Sequence, residues 1–274
     1  MTAAQVLTPQ RALFRLDDKV AVVTGAAGHL GKAIATGLAE VGGHVCLVGR
    51  TEATVAALAK ELTGRGLKAE AQVCDVTKAD QIKALVDRLG TRWGRLDVLV
   101  NNAHAGRAGV MADSHKADYV SAIEIAVAAA AELVNEGHAL LKAAAVQNGD
   151  AAVINISSMY GMVSPDPRVY GASKMNNPPH YGAAKAALLQ YTRYAACHLA
   201  PDGIRVNAIS PGPFPPDAVC ERDPAFCGKL IDKVPMGRLG KPGDLMGAAV
   251  FLASPASSFV TGANLPVDGG WTAW

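Results

Sequence analysis

The chain has 274 residues, half of them hydrophobic, which is ample to bury a sizeable core. It carries 26 basic and 24 acidic residues, and this near-balance without a basic run gives no indication of nucleic-acid binding. The five cysteines are scattered without metal-ligand spacing, which predicts no metal site and a reducing compartment. Cys220 and Cys227 are close enough in sequence for a disulfide, but we expect both thiols to be free.

The N-terminal residues give no sign of a targeting segment. Arg11 and Arg15 interrupt this region and it has no long apolar core, so we expect no signal peptide. The most apolar helical run, AIEIAVAAAAELV, contains Glu124 and Glu132 and is too short to span a membrane. We therefore expect a cytoplasmic protein with an extension over residues 1–18 and one domain over 19–274.

Short apolar runs alternate with segments of helical length along the whole chain. Near-continuous apolar runs are typical of strands that are buried on both faces. Alternation of such strands with helices predicts an α/β fold, a parallel sheet with helices on both sides. The strand candidates are KVAVVTG, HVCLVGR, AEAQVCDV, LDVLVNNA, AAVINISS, IRVNAISPG and ANLPVDGG.

Two segments interrupt this alternation, an insertion over residues 159–180 and a predicted substrate lid over 211–235. Both are rich in proline and polar turn residues, and both directly follow strands. Ligands of open α/β sheets bind at the carboxyl ends of strands, so we expect both segments to flank the site.

The first strand runs into the glycine-rich turn TGAAGHLG, with Gly25, Gly28 and Gly31 spaced three apart. Glycines at a strand–helix turn allow close approach to a pyrophosphate, and the helix N-terminus supplies free N–H groups. Packing alone is the alternative role for these glycines. The predicted cofactor contacts in this turn are Gly25, Ala27, Gly28, His29 and Leu30.

The end of the second strand indicates which nucleotide is bound. An acidic residue there would bind the ribose 2′-hydroxyl of NAD, but Gly49 occupies the position and Arg50 and Thr51 follow it. Arginine suits a 2′-phosphate, so we favour NADP(H) over NAD(H), with a solvated Arg50 as the alternative.

The third and fourth strands also end in polar residues. Asp75, with Val76 beside it, can reach an adenine amino group or cap a helix that begins near Thr77. Asn102, followed by Ala103, can hold either the loop backbone or the cofactor.

Together these segments resemble the short-chain dehydrogenase/reductase family in its single-domain branch. The turn TGAAGHLG, LVNNA, VINISS, YGAAK, IRVNAISPG and VDGGW occur in the family's order from Lys19 to Trp271. The resemblance implies a Rossmann-type, doubly wound parallel sheet of seven strands, with helices on both faces. It also implies a nicotinamide cofactor that contacts Pro211 and Gly212, and a Ser–Tyr–Lys centre supported by an asparagine. Members of the family are frequently homotetramers.

The pattern Tyr-x-x-x-Lys occurs twice, as Tyr170 with Lys174 and as Tyr181 with Lys185. Pro178 and Pro179 limit a helix through Tyr170 to about one turn, whereas a helix from Tyr181 can run without a breaker to Pro201. Tyr181 also stands in the family's relation to IRVNAISPG. We therefore predict that Tyr181 and Lys185 are the catalytic pair.

The serine of the centre is also doubled. Ser158 stands three residues before Gly161, as in the family pattern, so Ser157 and Asn155 are expected to have structural roles. The resemblance implies carbonyl–alcohol interconversion by hydride transfer. Ser158 would bind the substrate oxygen, Tyr181 would exchange the proton, and Lys185 would lower the pKa of the phenol and hold the nicotinamide ribose.

Three residues or motifs depart from the family pattern. Ala126 stands where the family has its supporting asparagine, His104 replaces a glycine after NNA, and the TGxxGxxG turn resembles the sugar-nucleotide branch. Two other functions therefore remain open: a non-catalytic nucleotide-binding homologue, and a sugar epimerase or dehydratase.

The substrate is the least determined part of the function. The predicted lining residues are His104, Tyr160, His180 and Phe214, a polar and aromatic set that suits a sugar-like carbonyl compound, with a secondary-metabolite ketone as the alternative. We expect a homotetramer or homodimer because the helix around 122–134 is smooth and apolar and because Trp271 and Trp274 look exposed.

Overall fold

A central parallel sheet of seven strands organises the protein, as predicted. The structure is a computed structural model that describes residues 9–104, 109–173 and 175–274. The strands are β1 (Val20–Thr24), β2 (His44–Gly49), β3 (Ala69–Val73), β4 (Val98–Asn101), β5 (Ala151–Ile156), β6 (Ile204–Pro211) and β7 (Asn264–Val267).

The strand order is β3-β2-β1-β4-β5-β6-β7, and every neighbouring pair is parallel. The four strands β1, β4, β5 and β6 are buried along their whole length, which explains their continuous apolar sequences. The chain builds outward from β1 to β3 and then returns to place β4 on the other side of β1. This reversal opens a crevice at the carboxyl ends of β1 and β4.

Helices cover both faces of the sheet. In the described part of the chain they are α1 (Pro9–Ala12), α2 (His29–Glu40), α3 (Glu52–Gly64), α4 (Ala79–Trp93), α5 (Lys116–Ile123), α6 (Ala129–Asn148), α7 (Pro167–Tyr170), α8 (Pro179–Leu199), α9 (Asp217–Arg222), α10 (Pro224–Asp232) and α11 (Met246–Ala253).

Two apolar cores lie on opposite faces of the sheet. One joins α4, α6 and α8 to the strands through side chains such as Leu85 and Leu141. The other joins α2, α3 and α11 to the opposite face through side chains such as Ile34 and Leu58. Because the strands are held from both sides, their carboxyl ends form a rigid edge for a site.

Packing begins ahead of the domain boundary predicted at residue 19. Leu16 is fully buried, and its backbone N–H donates to the carbonyl of Val41 at 2.9 Å. At the other end of the chain, Trp271 is buried and only Trp274 is exposed, so the expectation that both tryptophans are exposed is wrong for Trp271. Throughout the described ranges, no helix combines the length and apolar character needed to cross a bilayer.

The lid segment contains a disulfide, so the expectation of free thiols at Cys220 and Cys227 is wrong. Cys220 lies in α9 and Cys227 in α10, with their Cα atoms 5.5 Å apart. Only Asp223 separates the two helices, and its carboxylate accepts from the N–H of Phe226 as the cap of α10. The tight turn between the helices brings the thiols within bonding distance and joins them into one covalent unit.

Candidate active site

The glycine turn after β1 is held by backbone contacts that leave no room for side chains. Gly25 has a φ of +61°, which glycine adopts without strain. A Cβ at Gly31 would lie 2.2 Å from the carbonyl oxygen of Gly25 and 2.7 Å from Nδ2 of Asn102. Gly28 caps α2 without a side-chain bond, so the first N–H groups of this helix are free to receive an anion.

Asn102 fixes the same turn from the end of β4. Its side-chain amide donates to the carbonyls of Thr24 at 2.9 Å and Gly25 at 3.1 Å. The hydroxyl of Thr24 accepts from the N–H groups of Asn102 and Ala103. Of the two roles considered for Asn102, the structure therefore shows that of holding the loop.

A groove of about 130 Å³ lies at the carboxyl ends of β1 to β4. It has the position expected for the adenosine half of a dinucleotide, and the predicted cofactor residues at the strand ends meet there. The residues that line it include Gly25, Arg50, Asp75, Val76, Ala103 and His104.

Arg50 is exposed at the end of β2, where no carboxylate occupies the strand terminus. Asp75 accepts hydrogen bonds from the N–H and hydroxyl of Thr77 at 3.0 and 2.9 Å. These bonds, with a smaller contribution from the charge of Arg50, lower the pKa of Asp75. Asp75 thus closes a turn ahead of α4, which begins at Ala79 with Lys78 rather than Asp75 as its N-cap.

Other predicted cofactor residues lie around this groove rather than in its wall. Ala27, Gly28 and His29 are exposed on the glycine turn, with Leu30 half-buried behind them, and Thr51 is the exposed N-cap of α3. Pro211 and Gly212 lie at the end of β6, where a Cβ on Gly212 would come within 2.5 Å of Cα of Asp268.

Ser158, Tyr181 and Lys185 meet where β5 ends against α8. A side-chain hydrogen bond joins Ser158 to the phenol of Tyr181, and Nζ of Lys185 lies 5.8 Å from the centre of the Tyr181 ring. Nζ of Lys185 also donates to the carbonyl of Ile156 at 2.7 Å. The three side chains are therefore held on rigid elements, as a proton-transfer centre needs.

Close backbone packing explains this precision. A Cβ at Gly161 would lie 2.9 Å from the carbonyl carbon of Lys185, and one at Gly182 would lie 2.7 Å from the carbonyl oxygen of Tyr160. The hydroxyl of Ser157 donates to the carbonyl of Lys185 at 2.9 Å, in line with the structural role expected for it. These contacts press the turn after β5 directly onto α8.

A buried chain of hydrogen bonds supports the centre from behind. Asn101 donates to Asn155 at 2.8 Å, and Asn155 donates to Thr192 at 2.9 Å. The chain links β4, β5 and α8, so Asn155 has the supporting position expected from the sequence.

Burial determines the electrostatics of the centre. It lowers the pKa of Lys185 to about 8 and raises the pKa of Tyr181, which the hydrogen bond from Ser158 only partly offsets. The sequence predicted that Lys185 would lower the pKa of Tyr181, but burial raises it in this structure. Desolvation, followed by the charge of Lys185, lowers the pKa of His104 to about 4, so the imidazole is neutral near pH 7 although much of the residue is exposed.

A cavity of about 450 Å³ opens in front of Tyr181 and Lys185. His104 and His180 line it as predicted, and the His104 ring packs edge-on against Tyr181 with 4.9 Å between the ring centres. His104 lines the nucleotide groove as well, so the two spaces share a wall.

Tyr160 and Phe214 do not line this cavity, which corrects two of the four predicted substrate residues. Tyr160 is buried and its hydroxyl bonds to Tyr170. The ring of Phe214 lies under Gly240, where a Cβ would meet its carbons at 2.5 Å. Sequence reasoning missed Tyr170, Asn177, Val219 and Phe226, which line the cavity from the insertion and the lid.

The second tyrosine motif lies in a different structural setting. The helix through Tyr170, α7, has 4 residues and is followed by Gly171, whose φ is +56°, so the prediction of a single turn is confirmed. The helix through Tyr181, α8, has 21 residues, which confirms the long uninterrupted helix. Lys174 lies outside the described residues.

Known proteins are similar to this chain in both sequence and fold. A family model described as enoyl-(acyl carrier protein) reductase matches residues 25–272. The chain belongs to the short-chain dehydrogenase/reductase family. It is therefore an oxidoreductase of the class that acts on alcohols and carbonyls.

Two relatives and one solved structure illustrate the family match. Cis-4-hydroxycyclohexanecarboxylate dehydrogenase of Sinomonas cyclohexanicum is 39% identical over 93% of this chain and 97% of its own. The 2-dehydro-3-deoxy-D-gluconate 5-dehydrogenase of Escherichia coli K12 is 33% identical over 95% and 98%. A gluconate 5-dehydrogenase of Burkholderia cenocepacia J2315, solved with NADP and tartrate, has a TM-score of 0.86 and 31% identity over 97% of this chain and 99% of its own.

The departure at Ala126 falls in an irregular part of the long helix of this short-chain dehydrogenase/reductase. Residues Glu124–Ala128 form a π-helical segment between α5 and α6. Ala126 packs with Ala122 and Ala184 and lines the cavity. An alanine has no polar side chain, so this part of the wall beside Lys185 is apolar.

Proposed function

We propose that this protein is an NADP(H)-dependent dehydrogenase or reductase that interconverts a carbonyl and a secondary alcohol on a hydroxylated, sugar-like substrate. One observation carries this proposal. Tyr181 and Lys185 line a cavity, Ser158 is hydrogen-bonded to Tyr181, and His104 lines both this cavity and a groove in which Arg50 lies.

The arrangement suits proton transfer at a substrate oxygen. The hydroxyl of Ser158 can hydrogen-bond that oxygen, and Tyr181 donates its proton in reduction or accepts one in oxidation. The nicotinamide, when bound, supplies or accepts the hydride. Lys185, held at the carbonyl of Ile156, places its charge beside the phenol and favours the phenolate in the oxidation direction.

The residues around the groove fit a dinucleotide, and the end of β2 supports NADP(H). The free N–H groups at the start of α2 suit the pyrophosphate, and the exposed Arg50 suits a 2′-phosphate in the place where NAD-binding proteins carry an acid. The structurally similar gluconate 5-dehydrogenase was solved with NADP.

The cavity supports a polar substrate. It has room for a ligand of about six carbons, and histidine, tyrosine and asparagine side chains lie in its wall. Similar proteins are named for gluconate, a gluconate derivative and a hydroxycyclohexanecarboxylate. These names support a hydroxylated substrate.

A paired titration with NADPH and NADH, followed by tryptophan fluorescence, tests the cofactor assignment. We expect NADPH to bind at least about tenfold more tightly, because charge-assisted bonds contribute about 1.5–3 kcal/mol each. Arg50→Ser should remove most of that difference, while Arg65→Ser, at the far end of α3, should preserve it. Tighter binding of NADH by the unchanged protein would overturn the assignment.

Ala126 favours a second candidate, a non-catalytic nucleotide-binding homologue. Loss of the supporting asparagine removes one polar group from beside Lys185. NADPH consumption with any ketone that disappears in Tyr181→Phe would exclude this candidate, whereas tight cofactor binding without turnover would support it.

The proposed assembly is a homotetramer or homodimer in the cytoplasm. Tyr119, Val120 and Ile123 leave apolar surface exposed on α5, and Trp274 does so at the C-terminus. Sedimentation of a monomer at micromolar concentration would contradict this assembly.

A further inference from the structure

Two buried polar atoms in the cavity wall have no partner within the described structure. They are Oδ1 of Asn177 and Nδ1 of His180, and both residues line the same cavity. A buried polar atom without a hydrogen bond is unfavourable, so a group from outside the chain is the expected partner. The proton-transfer mechanism uses neither residue.

Tyr170 adds a third polar group to the same wall. Its phenol is hydrogen-bonded to the hydroxyl of Tyr160 and accepts from the backbone N–H of Asn177. A phenol both donates and accepts, so Tyr170 keeps one hydrogen-bonding position for a group in the cavity whichever way its bond to Tyr160 runs. The second tyrosine motif thus has a place beside the substrate although its helix is only one turn long.

Neighbouring groups contact both residues without pairing the two buried atoms. The N–H of Asn177 also donates to Oδ1 of Asn176 at 2.8 Å. The ring of Tyr119 packs edge-on against His180, with 5.9 Å between the ring centres. The amide and the imidazole are planar groups that can turn about their last χ bond, so a ligand in the cavity can reach the unpaired end of each.

The wall they form carries no fixed charge. Among the described lining residues, Lys185 is the only lysine or arginine, no carboxylate is present, and Nζ of Lys185 is already bonded to Ile156. An amide, an imidazole and a phenol offer both donors and acceptors, which matches hydroxyl groups because each hydroxyl also donates and accepts.

We propose that Tyr170, Asn177 and His180 form a subsite that binds hydroxyl groups of the substrate away from the reacting carbon. The substrate class is therefore a polyhydroxylated ketone and the matching polyol. This inference rests on the proposed function and extends it from the reacting carbon to the rest of the substrate.

The test compares ketones that share a six-carbon chain and differ in hydroxylation. D-fructose and L-sorbose carry hydroxyls with two stereochemistries, and 2-hexanone carries none. For the unchanged protein with NADPH, we expect kcat/KM to be at least about tenfold higher for one of the sugars than for 2-hexanone. Asn177→Ala and His180→Leu should each lower this sugar-to-hexanone ratio by about tenfold, mainly through KM.

Matched variants separate hydrogen bonding from packing. His180→Asn keeps a side-chain nitrogen near the position of Nδ1 and should recover most of the ratio lost in His180→Leu. His198→Leu changes a histidine on the same helix that stacks on Tyr194 outside the cavity, and it should keep the ratio. Melting temperatures identify any variant that fails to fold, and the remaining substitutions then decide the outcome.

A second readout does not require turnover. Saturation-transfer NMR of the two sugars with NADP⁺-loaded Tyr181→Phe should show binding that Asn177→Ala weakens. A hexanone reductase with no sugar preference would overturn the subsite and the sugar-like substrate class, and would leave the NADP(H)-dependent carbonyl–alcohol interconversion intact. Sugar binding without any turnover would support the subsite and count against the proposed function, and failure of both readouts with the sugars would overturn the subsite.

Discussion

The cofactor end and the substrate wall of this protein are built in different ways. Around the glycine turn, backbone groups of β1 and the side chains of Thr24 and Asn102 satisfy one another at 2.9–3.1 Å. In the substrate wall, polar atoms of Asn177 and His180 find no partner among the residues that the structure describes. The glycine turn of the first region is held by bonds within the chain, whereas side chains of the second are left for a partner from outside the chain.

This difference separates common chemistry from specific recognition. Backbone contacts such as that between Gly25 and Gly31 tolerate almost no change, so they suit a cofactor that does not vary. Side chains on an insertion and a lid can change without disturbing the sheet, so they suit the choice of substrate. Four experiments test this comparison.

The largest effect is expected for Tyr181→Phe, because the phenol is the proton donor of the rigid region. We expect kcat to fall by at least about a hundredfold while NADPH affinity stays within about twofold. Tyr170→Phe is the matched change in the substrate wall and should cost less than about tenfold. Full activity of Tyr181→Phe, or a larger loss in Tyr170→Phe, would reverse the assignment of the two tyrosines.

Gly31→Ala tests whether backbone packing determines the cofactor end. The added Cβ would lie 2.2 Å from the carbonyl oxygen of Gly25, so the turn must move. We expect NADPH affinity to fall by at least about tenfold and the free energy of unfolding to fall by about 1–3 kcal/mol.

Gly64→Ala is the control for this substitution. Gly64 ends α3 and a Cβ there meets no atom within 4 Å, so stability should change by no more than about 1 kcal/mol. Calorimetric melts and fluorescence titration give both values. Equal effects of the two substitutions would show that the turn is not constrained as its geometry indicates.

The buried Lys185 makes a pH-dependent contribution to stability. Its pKa falls from the ordinary 10.5 to about 8 on folding, so between these values the unfolded chain holds a proton that the folded chain has lost. The melting temperature of the unchanged protein, relative to Lys185→Met, should therefore rise by a few degrees from about pH 8 to about pH 10.

Lys83→Met provides the comparison for this pH series. Lys83 is exposed on α4 and Asp87 raises its pKa. The melting temperature of the unchanged protein relative to Lys83→Met should therefore not rise over the same pH interval. If the difference in melting temperature between the unchanged protein and Lys185→Met did not change with pH, the ammonium of Lys185 would not be desolvated on folding.

The disulfide of the lid should have the smallest effect. Cys220→Ser removes the covalent link between α9 and α10. Val219 of α9 and Phe226 of α10 both line the cavity. We expect KM for the best ketone to rise about threefold with little change in kcat, because a looser wall must be ordered on binding. Cys197→Ser, at an exposed free thiol, should have no effect. Unaltered kinetics in Cys220→Ser would show that the lid is held by packing alone.

The sequence predicted the sheet and the catalytic helix well because both depend on local patterns. Short apolar runs indicated the seven strands, although β3 and β7 are less buried than such runs predicted, and the unbroken run after Pro179 indicated the helix of Tyr181. The order of motifs then placed Ser158, Tyr181 and Lys185 together, and these three side chains do meet.

The substrate wall could not be predicted from such patterns. Tyr170 and Phe226 come together, with 5.4 Å between their ring centres, from segments that no periodicity relates. Phe214 was expected in the cavity because it follows a strand. Its ring instead packs against Gly240, where the lack of a side chain leaves room for it. The disulfide was missed because the sharp turn at Asp223 depends on how two short helices pack.

The position of His104 gives the two halves of the site a thermodynamic connection. Its imidazole belongs both to the nucleotide groove and to the substrate cavity, and it packs against Tyr181 between them. A ligand that shifts this ring to fit one space alters the free energy of filling the other. By reciprocity, substrate changes cofactor affinity by the same factor as cofactor changes substrate affinity, so a single side chain can make the binding of two separate ligands cooperative.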